Sequence, residues 1–127
     1  MNTARARARF VNDGLATLSG PSLLLALYRR LERDLEEATT ALHARSLDVA
    51  HDALVHAQEI VQELSLALDT AGWPEAVQLR DLYGWVLDEF VRANVTKDPA
   101  IVDSCRQVVA GLHAAWADAS CGVSVAG

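Results

Sequence analysis

The chain holds four histidines (His43, His51, His56 and His113), two cysteines (Cys105 and Cys121) and seventeen carboxylates, the residue types from which metal sites and acid–base or nucleophilic centres are built. Their spacing supports none of these. A di-metal site in a helical bundle needs inward glutamates on two helices and Glu-x-x-His on two others, and Glu-x-x-His does not occur. His51 follows Asp48 by three residues but projects opposite Ile60 on a helical wheel, away from a bundle centre. His43, His56 and His113 lack carboxylate partners at ligand spacing and read as surface or boundary residues. Cys105 falls on an apolar helical stripe, where an inert thiol is expected, and there is no CxxC pair. Neither a Gly-x-Ser-x-Gly nucleophile motif nor a P-loop is present, so no enzymatic activity, metal or cofactor is expected. Asp34 lies near the edge of an apolar stripe and is expected to make an interhelical hydrogen bond.

Four amphipathic segments position these residues. Ser19-Gly20-Pro21 combines a capping hydroxyl with a first-turn proline, predicting a helix from about 21 to 44 with Leu24, Leu27, Leu31, Leu35, Ala38 and Leu42 on one face. Ser46 is expected to cap a second helix that runs to about 71 and closes at Gly72. Its core stripe reads Val49, Ala53, Ala57, Ile60, Leu64 and Ala67. The third helix is predicted from about Pro74 to Val95, with Leu79, Leu82, Val86, Phe90 and Ala93 inward. Asp98-Pro99 opens a fourth carrying Ile101, Cys105, Val108, Leu112 and Trp116. Four such helices on short connections predict an all-α, antiparallel up-down four-helix bundle over residues 17–119, with a flexible N-terminal arm (1–16) and a frayed tail (120–127).

Composition agrees with that reading. Hydrophobic residues make up 51% of the 127, aromatics 6%, and glycine and proline are few, which favours an aliphatic helical core. A net charge of -6 argues against nucleic-acid binding, which requires a cationic surface. The charge is uneven: Arg5, Arg7 and Arg9 make the arm basic, and an acidic body follows. No signal-like apolar run follows these arginines, and no apolar stretch approaches the roughly 20 residues of a membrane span, so a cytoplasmic location is expected.

Some apolar residues exceed what a bundle needs. Leu47, Leu54, Val61 and Leu68 recur every seven residues beside the core stripe of the second helix, and Val77, Gly84 and Val91 do so on the third. Leu54, Val61, Leu68, Val77, Leu87 and Val91 are therefore assigned to a partner-binding groove in which Val61→Glu spares the fold while Ile60→Glu destroys it. Trp85, among Asp81, Asp88, Glu89 and Arg92, is a candidate interface anchor, with Phe10 of the arm a candidate contact. A mid-helix glycine costs about 1 kcal/mol against alanine, so Gly84 suggests close approach by a partner.

Read in order, Thr17-Leu-Ser-Gly-Pro-Ser-Leu-Leu-Leu-Ala-Leu-Tyr28, Ala57-Gln-Glu-Ile-Val-Gln-Glu-Leu64, Leu82-Tyr83, Ala93-Asn-Val-Thr-Lys-Asp98 and Leu112-His-Ala-Ala-Trp116 resemble successive landmarks of the FliS family of flagellin export chaperones. The chain departs from the family in offering Phe10 where an arm tyrosine is common and Gly84-Trp85-Val86 after Leu-Tyr. The resemblance implies a cytoplasmic chaperone, a monomer or weak homodimer, that captures the disordered C-terminal segment of flagellin. It would prevent premature polymerisation and present the subunit to the flagellar type III export apparatus, with export components or flagellar regulators as further partners. The competing readings are a self-associating structural or adaptor bundle and, more distantly, a di-metal enzyme.

Overall fold

The computed structural model describes residues 21–68 and 75–126, so residues 1–20 with Phe10 and Ser19, residues 69–74 with Gly72 and Pro74, and residue 127 lie outside the described residues. Four helices follow in order: α1 (Pro21–His43), α2 (Leu47–Leu66), α3 (Ala76–Thr96) and α4 (Pro99–Ala126). No strand occurs among the described residues. Each helix packs on its two neighbours around a ring, α1 on α2 and α4, and α3 on the same pair, which is the expected up-down bundle.

Local chemistry sets the turns. After α1 the chain reverses through Arg45 in the left-handed region (φ 59°), with Ser46 N–H donating to the Ala41 carbonyl at 2.8 Å and Arg45 N–H to Leu42 at 3.2 Å. This pair of bonds satisfies carbonyls that the helix end leaves open. Ser46 stands at the N-cap of α2 as expected, but its hydroxyl makes no capping bond. Asp98 does cap α4: its Oδ1 accepts from Ala100 N–H at 2.9 Å, one residue after the first-turn proline. Helix α2 ends at Leu66, short of the expected 71, while the α4 backbone stays helical to Ala126, past the expected bound at 119.

The core is aliphatic, built on Leu31, Leu35 and Leu42 of α1, Leu54, Ile60 and Val61 of α2, Val86 and Phe90 of α3, and Val102, Cys105 and Val109 of α4. Two inward residues of α4, Val102 and Val109, stand outside the stripe read from the sequence, as do the buried tyrosines Tyr28 and Tyr83. The largest correction concerns α2. Leu54 and Val61, assigned to an open groove, are fully buried, while Val49 and Ala67, assigned to the core, are exposed. The cause is that α2 lies between α1 and α3, so its buried arc turns toward α3 and must be wider than one neighbour would require. Val61→Glu would place an unpaired carboxylate in the core, exactly as Ile60→Glu would, and the expected contrast between them disappears.

Candidate partner-binding face

Polar chemistry inside the bundle works as interhelical fastening. Tyr28 of α1 and Tyr83 of α3 meet hydroxyl to hydroxyl at 2.6 Å across the core, and Trp116 Nε1–H of α4 donates to the Tyr28 oxygen at 3.2 Å. Burial, the largest influence on both, pushes the two phenols above their ordinary range, so both stay protonated and able to donate. His113 stacks on Tyr28 with ring centroids 5.9 Å apart and bonds Glu32 through Nδ1. His56 Nδ1 pairs with Asp34 across the α1–α2 interface, the interhelical bond expected of that aspartate. His56 and His113 thus have carboxylate partners that spacing along the chain does not reveal, because each partner is on another helix. His51, exposed, bonds the side-chain amide of Asn94 at 2.8 Å and so ties α2 to α3.

These pairs sit at separate interfaces. Among the described residues no three His, Cys, Asp or Glu side chains form a metal-ligating group. Burial pushes the Cys105 thiol up to about 12, which makes it a poor nucleophile at neutral pH.

The surface carries the remaining apolar residues. Val77 and Val91 are each 50% exposed, Trp85 is 42% exposed, and Gly84 is exposed with nothing within 4 Å of the position its Cβ would take. Leu87 and Leu68 are half-buried beside them and touch the core. Of the assigned site residues, then, Val77, Leu87 and Val91 lie on the side of α3 that runs from its outer crest toward α2, Trp85 lies on the opposite flank, about 160° around the helix from Leu87, Leu54 and Val61 lie beneath the surface, and Phe10 is outside the described residues. Spacing did not single out Val55, Leu66 and Val95, all exposed. Val95 is one turn beyond Val91 and could have been found by extending the α3 stripe. Val55 required the register of two helices.

A second apolar concavity, about 410 Å³, opens between α3 and α4, lined by Leu79, Leu82, Leu112 and Trp116 with Glu75 and Gln78 at its edge. It forms where the lightest of the four helix interfaces separates. Leu79, Leu82, Leu112 and Trp116 were read as core, and half-burial gives each two roles. Among the described residues no helix is long and apolar enough to cross a membrane.

A helical bundle whose buried tyrosines join helices, and whose exposed large apolar residues gather on α2 and α3, has the build of a binding module. The family model described as "Flagellar protein FliS" matches residues 2–122, and the chain belongs to the FliS family. That family is one of flagellar export chaperones and not of enzymes. No curated protein sequence matches the chain.

Proposed function

We propose that the protein is a cytoplasmic export chaperone that binds the disordered C-terminal segment of flagellin, holds it back from polymerisation and assists its delivery to the flagellar type III export apparatus. The observation that carries this reading is the open stripe of Val77, Gly84, Val91 and Val95 on α3 of a FliS-family chain. A client segment that is unstructured alone can fold as a helix against such a stripe, offsetting its ordering entropy by burying apolar surface on both partners. Covering a half-exposed valine contributes about 1 kcal/mol, roughly half of what full burial of such a side chain gives. Several such contacts are needed, and Leu87, beside the stripe on the α2 side, supplies a larger area. Gly84 lets the client backbone approach at mid-stripe, which offsets the cost of a helical glycine.

Calorimetric titration of the chain with a peptide of the flagellin C-terminal segment tests the proposal. Saturable one-to-one binding that is lost in Val91→Glu, with helicity retained, is expected. Absence of binding to the unmodified chain would overturn the client assignment.

A further inference from the structure

The α3 stripe does not end at α3. The Asn94–His51 bond (2.8 Å) and the Arg80 Nη2–H bond to the Leu68 carbonyl (3.5 Å) set the antiparallel register of α3 on α2. In that register Val55, 37% exposed, comes level with Val91, so the apolar surface spans both helices. From Val77 to Val95 it is about 27 Å long at 1.5 Å per residue, the length of a helix of about 18 residues.

Its outer border is acidic. At 100° per residue Asp81 and Asp88 follow the stripe on the outer side of α3, one turn from Val77, Gly84 and Val91, and Asp52 stands one turn before Val55 on α2. All three aspartates are exposed and, among the described residues, none is in an ion pair. Of the nearby cations, Arg92 is 2.7 Å from Glu89, whose carboxyl it holds below the usual range, and Arg80 bonds the neutral Leu68 carbonyl and keeps its charge on the α2 side, so the acidic border is the outer one. A second copy of this chain docked through the same face would bring six of these aspartates together with only two Arg80 side chains to offset them, so the face better suits a basic partner.

We infer that the occupant of the α2–α3 face is an amphipathic helix whose apolar side is flanked by lysine or arginine. Asp52, Asp81 and Asp88 select its charge, and Val55, Leu87 and Val91 take its apolar side. This rests on the client reading above and adds the charge of the segment that is recognised. Recognition of this kind weakens with salt, since exposed charges are screened over about 10 Å at 0.1 M.

The test uses the full chain and two synthetic helical peptides of about 18 residues with one identical Leu/Ala face, one flanked by lysine and the other by glutamate. The lysine peptide should bind at least about tenfold more tightly at low salt, as expected of several exposed pairs acting together. That preference should shrink at high salt and vanish in Asp81→Lys/Asp88→Lys, whose helicity is checked by circular dichroism, while Val91→Glu should weaken both peptides. Equal binding of the two peptides overturns the inference, and so does a lysine preference that survives the double reversal. So does lysine-peptide binding that occurs only after Arg5, Arg7 and Arg9 are replaced by serine, since the chain's own arm is then the occupant. A dimer in sedimentation that Val91→Glu disrupts also overturns it, because the occupant is then a second copy. Failure of the native flagellin segment in parallel titrations, with the peptide preference intact, rejects the client assignment alone.

Discussion

Helices α2 and α3 carry stripes that look alike in sequence and end in opposite places. Leu54 and Val61, seven residues apart on α2, are sealed in the core, and Val77 and Val91, fourteen apart on α3 with Gly84 between them, are half open to solvent. Spacing alone cannot separate them, because a seven-residue repeat fixes only that the residues share a side of the helix. What separates them is direction relative to the neighbours. The α2 stripe points into the angle where α3 packs, and the α3 stripe points past that contact. Composition offers a weak clue: the buried stripe has leucine at its centre, and the open one has a glycine to which nothing in the described chain comes near.

The largest predicted effect falls on the sealed stripe. Val61→Glu should unfold the bundle, since an unpaired buried charge costs several kcal/mol against a total stability on the order of 5–15 kcal/mol. Leu54→Ala should cost about 2–5 kcal/mol in chemical denaturation, and a loss below about 1 kcal/mol would place Leu54 at the surface after all.

Alkaline titration probes the same sealed region. Cys105, Tyr28 and Tyr83 all have pKa values raised by burial, Cys105 from 9.0 to about 12. A raised folded pKa stabilises the protonated form, so the contribution of the thiol is complete below pH 9 and is lost as pH climbs from 9 to about 12. The thermal midpoint should fall across that window, and Cys105→Ala should remove part of the fall. A flat midpoint from pH 9 to 12 would mean that these groups are reached by water in the native state.

Smaller effects follow. Tyr83→Phe removes the 2.6 Å bond to Tyr28 and should cost about 0.5–1.5 kcal/mol, leaving Trp116 as a donor to Tyr28. Gly84→Ala should stabilise the free bundle by about 0.5–1 kcal/mol, because a helical alanine is favoured and its Cβ meets nothing within 4 Å. If the open stripe receives a close backbone, the same change should weaken client binding. Stabilisation with unchanged binding would show that Gly84 serves no contact.

The fold was largely legible because its determinants are local or periodic. Asp98-Pro99 marked the start of α4, and Leu31, Leu35, Ala38 and Leu42 marked the inner side of α1. The site was less legible because exposure depends on neighbours distant in sequence. Asp34–His56, Glu32–His113 and Tyr28–Tyr83 join helices whose residues are 22, 81 and 55 positions apart, and no spacing rule reaches so far. Val49 looked inward by period alone yet is 45% exposed, because the arc of α2 turned toward α3.

The most direct test of the account is a paired measurement of folding and flagellin binding in Val61→Glu and Val91→Glu, by circular dichroism and by titration with the flagellin C-terminal segment. Val61→Glu is expected to lose its helical signal and with it all binding. Val91→Glu should keep the helical signal and thermal midpoint of the unmodified chain while its affinity drops by about tenfold or more, the equivalent of about 1.4 kcal/mol. A folded Val61→Glu, or a folded Val91→Glu that binds the segment undiminished, would contradict the assignment of the two stripes to core and client.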